Sequence, residues 1–299
     1  MAIGTQRFLD PKILAGISGL DLVAKTVVDG FIAGLHRSPD FGFSQEFAEY
    51  RIYEPGDDLR HVDWNVFARS ERMYLKRYRG ETNTLITIVL DSSKSMHYGS
   101  RGMEKLEYAR FLTASLAYLA HLQRDASGLI VFDGKVRSFI PPASKQGQLM
   151  RILHTINQSE AGTTETNFTE PLSTLTDYLA KRSVIAVVSD FWEEPEEVMK
   201  AIGPLRARGN EIILFQVLDP DELDPKFKGP MLLEDLESGE SMQVSPDYAK
   251  REYKTKMEAH LEDLKKKATA QGVHYFLCDT SKPLDAALRE YLAMRAGKF

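Results

Sequence analysis

Leu85-Ile86-Thr87-Ile88-Val89-Leu90-Asp91, running into Ser92-Ser93-Lys94-Ser95, is the stretch whose reading decides the fold. An apolar, β-branched run with no polar alternation describes a strand covered on both faces. This one ends in a carboxylate. The same form recurs at Ser127–Asp133 (SGLIVFD), Ser183–Asp190 (SVIAVVSD), Asn210–Asp219 and Val273–Thr280. Helical periods lie between these runs. Glu104–Gln123 is apolar nearly all round, and Gln146–Ser159, Glu170–Lys181 and Glu193–Arg208 follow. Glu193, Glu194, Glu196 and Glu197 crowd the start of the last, where the helix dipole favours anions. Strands alternating with helices predict an α/β fold, a mostly parallel central sheet with helices on both faces. Val136–Pro142, joined through Gly134-Lys135, is expected as an antiparallel edge strand.

Outward from this core the pattern changes. Between the last two strands lies an insertion at about residues 220–271. It has hairpin-like arms over Met231–Val244 around Ser238-Gly239, then a long helix over Asp247–Gln271. The mixed charges of that helix read as a solvated face with i,i+4 pairs. Lys12–Leu35 suggests one or two short helices, and Phe41–Arg79 is dense in charge and aromatics with little regular period. The expected division is an N-terminal extension, 1–80, and an α/β domain, 81–299.

The chain has 299 residues, 43% apolar and 27% charged, which excludes disorder as the main state. A net charge of -5, from 43 acidic and 38 basic residues, argues against nucleic acid as the partner. Cys278 is the single cysteine, so no intramolecular disulfide forms, which fits a reducing compartment. Leu106–Leu122, the most apolar long segment, carries Glu107, Arg110 and His121 and falls short of the ~20 residues a spanning helix needs. Asp10-Pro11 interrupts the N-terminal segment early, unlike a secretory leader. A cytoplasmic protein without membrane insertion is expected.

Asp91, Ser93 and Ser95 alternate, so on an extended turn one carboxylate and two hydroxyls converge. These are hard oxygen donors suited to Mg²⁺ or Mn²⁺, at the sheet edge where open α/β folds bind ligands. On this segment alone, helix capping by the same residues explains the pattern equally well. Asp190, at the end of another parallel strand, comes to the same edge. The loop Ala161–Phe168 (AGTTETNF) offers Thr163, Thr164 and Thr166. Together they make an octahedral oxygen site plausible.

Asp91-x-Ser93-x-Ser95 after an apolar strand, a later threonine in a TNFTEPL context and Ser189-Asp190 closing another strand resemble the von Willebrand factor type A domain. The resemblance implies a metal-ion-dependent adhesion site with ligands Asp91, Ser93, Ser95, Thr166 and Asp190. In that family an acidic residue of a partner fills the open coordination position. Asn167 stands where an aspartate is common.

A second constellation is Tyr53-Glu-Pro-Gly-Asp-Asp-Leu-Arg-His-Val-Asp-Trp, running on to Tyr78. Pro55-Gly56 marks a turn. Arg60, Asp63, Arg69, Glu71 and Arg72 form a candidate ion-pair network, with Trp64 and Phe67 as apolar anchors. A structural clasp is favoured over a metal or acid–base cluster of Asp57, Asp58, His61 and Asp63, since ion-pair networks mimic catalytic clusters. The YxPGDDxRxxDW pattern closely resembles the signature of the bacterial family called domain of unknown function 58, in its branch without N-terminal membrane helices. That resemblance implies work beside a MoxR-type AAA+ ATPase or its client, as an adaptor or co-chaperone. The alternative is a metal-dependent hydrolase using Asp57, Asp58 and Asp63 or the Asp91 site.

Other signals are set aside. A phosphatase forming an aspartyl-phosphate needs a carboxylate at position 93, where Ser93 stands. No P-loop, G-x-S-x-G, H-E-x-x-H or C-x-x-C occurs, and no catalytic motif is found. Lys76-Arg77-Tyr78-Arg79 reads as a structural edge strand rather than a nucleic-acid patch. Cys278 reads as a core residue.

Overall fold

The computed structural model describes residues 14, 19–35, 47–53, 62, 64–70, 72–78, 84–159, 182–225, 229–234, 241–245, 252–284, 286–289 and 291. The chain divides into two compact units. One comprises Met1–Phe31 with Thr84–Phe299, the other Ile32–Asn83.

The smaller unit pairs β1 (Phe47–Ile52) antiparallel with β2 (Tyr74–Tyr78), with α2 (Trp64–Ser70) between them in sequence. β2 falls where the basic edge strand was expected. β1 was not legible as a strand, because its charges blur the period. Trp64 is one of the two apolar anchors read from the sequence. It is 54% exposed and meets Phe67 edge-on at 6.0 Å.

The larger unit is built on six strands: β3 (Leu85–Asp91), β4 (Ala126–Phe132), β5 (Val136–Ala143), β6 (Val184–Ser189), β7 (Glu211–Leu218) and β10 (His274–Asp279). Their order is β10-β7-β6-β3-β4-β5, parallel throughout except for the antiparallel β4–β5 hairpin. The strand segments read from the sequence match within one or two residues. β3, β4, β6 and β7 are buried along nearly their whole length, as strands covered on both faces must be.

Alternation along these strands sorts side chains to two layers. Val89, Ile130, Phe132, Ile185, Val187, Ile212 and Leu214 share one core with α5 (Pro195–Ala207) and α7 (Lys254–Ala270), through Val198, Ile202, Leu205, Leu264 and Ala268. The other face is covered by α3 (Lys105–Leu122), which packs on β3 and β4 and against α4 (Gln148–Gln158). Its buried positions run all round the helix, including Leu106, Tyr108, Leu112 and Leu116. Each leucine among them contributes about 1.5–3 kcal/mol when fully buried. Gly128 in β4 has a physical reason. A Cβ there would lie 2.7 Å from the Ile140 carbonyl oxygen and 2.8 Å from the Pro142 nitrogen of β5.

α1 (Leu20–Leu35) buries Val23, Ala24, Val27 and Val28. Burial and then the Asp29 carboxylate raise the Tyr118 phenol of α3. Residues 1–31 therefore group with the α/β unit, whereas a single break near residue 80 would put them with the extension. Between β7 and β10 stand the one-turn α6 (Pro220–Leu223), the hairpin β8 (Met231–Glu234) with β9 (Ser241–Val244), and α7. The solvated face expected of α7 is present, with Lys267 Nζ 2.7 Å from Asp263 Oδ2. An adjacent stripe buries Met257, Leu264 and Ala268. Among the described residues, no helix is long and apolar enough to cross a membrane.

Candidate functional site

Parallel pairing in register brings the ends of β3 and β6 side by side. Leu90 pairs with Val188, so Asp91 and Asp190 emerge at the same sheet edge. Both are buried, as are Ser92 and Ser93. Asp91 Oδ1 accepts from the Ser93 N–H at 2.8 Å, and Oδ2 accepts from the Ser189 hydroxyl at 2.6 Å. Ser92 donates to the Phe132 carbonyl at 2.9 Å and is consumed by β4.

Ser93 stands at the N-cap of the short 3-10 turn Lys94–His97, yet its side chain makes no capping bond. Its Oγ instead lies 3.0 Å from Ser95 Oγ. Capping therefore does not account for the two hydroxyls. Neighbouring ligands of an octahedral ion with ~2.1 Å bonds stand about 3 Å apart, so this pair has the kind and spacing of oxygens that a small hard dication takes. Burial first, then the charge of Asp190, raise the Asp91 carboxyl to about 7. A cation between two such carboxylates relieves that repulsion.

The loop after β6 is held tightly. Phe191 is fully buried with φ 49, a left-handed conformation that costs a bulky residue about 1–3 kcal/mol. Ser189 Oγ accepts the Phe191 N–H at 3.2 Å, and His260 Nε2 of α7 lies 3.0 Å from the Phe191 carbonyl, to which it donates. Gln216 Nε2 donates to the Asp190 carbonyl at 2.7 Å, and Tyr275 donates to Gln216 at 2.6 Å. Four segments thus fix the Asp190 turn.

Two residues join this edge that the sequence reading missed. Lys105, in the first turn of α3 and 1% exposed, donates to Asp190 Oδ2 at 2.8 Å and to Glu222 Oε1 at 2.7 Å. Burial works against its charge, but Asp190 and Glu222 outweigh it and hold the ammonium above the ordinary lysine value. Burial pushes the Glu222 carboxyl up against the pull of Lys105. The Lys105 Nζ also stands 5.8 Å from the Trp192 ring centre and 6.0 Å from that of Tyr98, within cation–π range. Burial and then Asp219, Glu222 and Asp221 push the Tyr98 phenol up to about 12, against Lys105. The available signal was Asp219-Pro-Asp-Glu222, a capping-box spacing after a strand. Asp219 accepts from Asp221 N–H, and Glu222 Oε2 accepts the Asp219 N–H at 2.8 Å. Asp219 also accepts from the backbone and hydroxyl of Ser100.

Thr166 lies outside the described residues, as do Thr163, Thr164, Asn167 and the Glu170–Lys181 helix. Asp57, Asp58, Arg60, His61, Asp63 and Glu71 also lie outside them, and with them most of the expected clasp. Among the described residues, no group of three or more His, Cys, Asp or Glu is placed to hold a metal ion. An ion here would depend on the serine hydroxyls.

An uncharacterized protein of Mycobacterium tuberculosis is 27% identical over 290 residues, 96% of this chain and 90% of that protein. The crystal structure of an aerotolerance-related membrane protein from Bacteroides fragilis, with multiple mutations to serines, covers 71% of this chain and 99% of its own. Its TM-score is 0.50 at 17% identity. The solved SpRpn10 von Willebrand factor type A domain covers 69% of this chain and 93% of its own, with TM-score 0.40 at 11% identity. The mostly parallel sheet with its single antiparallel edge strand is an α/β fold of the kind the Bacteroides fragilis structure shares. The family model described as protein of unknown function DUF58 matches residues 49–263, and the chain belongs to that family.

Proposed function

We propose that this protein is a metal-dependent protein-interaction module, a cytoplasmic adaptor or co-chaperone that docks an acidic residue of a MoxR-type AAA+ ATPase or of its client. One observation carries the reading: Ser93 and Ser95 hold their hydroxyls 3.0 Å apart, unused by any cap, at the edge where Asp91 and Asp190 emerge. Asp91, Ser93, Ser95 and Asp190 would hold Mg²⁺ or Mn²⁺, with Thr166 the fifth ligand that the family resemblance implies. When bound, the ion supplies a Lewis-acid position that a partner carboxylate fills. The chain's own residues do the rest. Ser189 and the Ser93 N–H orient Asp91, and the Gln216 amide and His260 hold the Asp190–Phe191 backbone. The partner class comes from the family resemblance alone.

The test is capture of a purified MoxR-type ATPase in Mg²⁺ and in EDTA, with wild type and Asp91→Ala. Capture that needs both Mg²⁺ and Asp91 supports the reading. Capture indifferent to both sinks it. A panel of phosphoester and peptide substrates with Mg²⁺ and Mn²⁺ tests the hydrolytic alternative in the same preparations.

A further inference from the structure

Lys105 is a buried cation that a docking site made only of Asp91, Ser93, Ser95 and Asp190 does not need. Its ammonium is 2.8 Å from the oxygen of Asp190 and 2.7 Å from that of Glu222, and its side chain is 1% exposed. We propose that Lys105 is a resident cation that competes with the divalent ion for Asp190, and that Glu222 is the carboxylate that receives the ammonium when the ion takes Asp190.

This rests on the reading that Asp91 and Asp190 hold a divalent ion, and it adds how the site is regulated. An Asp190 oxygen already engaged by an ammonium is a poorer metal ligand, and the positive charge beside it repels a dication in a site water does not screen. A lone Lys–Asp pair would strand the ammonium once the metal arrived. Here the second carboxylate and the rings of Trp192 and Tyr98 already surround it, so the exchange leaves no buried charge unpaired. Glu222 also accepts the Asp219 N–H, and Asp219 holds Ser100. The ammonium therefore stays anchored to the loops after β7 and before α3 in either state.

The two charges predict opposite signs, which a merely structural role would not. Removing the lysine together with its retaining partner, as Lys105→Met/Glu222→Gln, frees Asp190 and strands no carboxylate at position 222. Removing only Glu222, as Glu222→Gln, leaves the ammonium leaning wholly on Asp190. Mn²⁺ titrations followed by electron paramagnetic resonance of the free ion, with Mg²⁺ thermal shifts as a second readout, compare both variants with wild type. The double variant is expected to bind Mn²⁺ about tenfold or more tightly, and Glu222→Gln about threefold or more weakly. Wild-type binding that is unchanged or weakened in the double variant, or strengthened in Glu222→Gln, overturns the competition and leaves the metal reading standing. No Mn²⁺ binding by any of the three proteins up to tens of millimolar overturns both. Should the double variant not fold by circular dichroism, Glu222→Gln still decides by its sign.

Discussion

Two strand ends on the same sheet edge carry nearly the same local text. β3 ends at Asp91 and is followed by Ser92-Ser93-Lys94-Ser95. β7 is followed by Asp219-Pro220-Asp221-Glu222, and both aspartates are fully buried. At β7 the polar groups are spent on structure: a capping box over α6, and a tether that holds Ser100 by backbone and side chain. At β3 the carboxylate is oriented from both sides, and the hydroxyls of Ser93 and Ser95 lie 3.0 Å apart with no capping bond from Ser93. A strand ending in aspartate is thus neither a site nor a cap by its residue types. The destination of each hydrogen bond decides, and Lys105 joins the β7 end, through Glu222, to Asp190 at the end of β6 beside β3.

The hardest blow to that link is Lys105→Ala. It strands two buried carboxylates, and breaking a buried ion pair costs about 3–5 kcal/mol. Urea denaturation should show a loss of that order, and a variant as stable as wild type would mean that the ends of β6 and β7 are not coupled through this lysine.

Next in size is pH. The Asp91 carboxyl is raised to about 7 by burial and then by Asp190, against about 3.9 when unfolded. A carboxyl raised on folding contributes stability that is fully present below the unfolded value and lost as pH rises through the folded one. In EDTA the protein should therefore lose stability between about pH 4 and pH 7, by on the order of 4 kcal/mol from this group. Asp91→Asn should flatten that part of the profile. Denaturation midpoints across the range, wild type against variant, measure it, and identical profiles would show that Asp91 does not titrate there.

The comparison itself is sharpened by paired alanines in EDTA. Asp219→Ala removes a cap and the acceptor for Ser100, a loss of about 1–3 kcal/mol. Asp91→Ala loses two hydrogen bonds but relieves the repulsion with Asp190, and should stay within about 1 kcal/mol of wild type. Equal losses in equilibrium unfolding would make both strand ends structural. The smallest effect is the ion's own. Mg²⁺ at tenfold excess over its Kd stabilises by about 1.4 kcal/mol, a rise in Tm of about 2–4 °C. Differential scanning fluorimetry should show it in wild type and not in Asp91→Ala.

The α/β core was legible from residues alone. Val184–Ser189 and Leu85–Asp91 are uniform apolar runs because both faces of a parallel sheet are covered, and their shortness and β-branched residues set them apart from a buried helix. That same uniformity put Asp91 and Asp190 on one edge, since parallel strands end together. Local text failed where the deciding partner is distant. Lys105 reads as an ordinary first-turn lysine, yet its two carboxylates come from positions 85 and 117 residues further on. Ser93 reads equally as cap or ligand until its Oγ is seen to face Ser95. Phe47–Ile52 does not announce itself as a strand, because its pairing with Tyr74–Tyr78 is set by a partner beyond the local window. Sequence by itself determined the strands, their common direction and the carboxylates at their ends, because burial on both faces constrains residue type position by position. Only the tertiary structure decided which of those carboxylates meet a lysine, a cap or each other, because charge pairing depends on distances that no local spacing encodes.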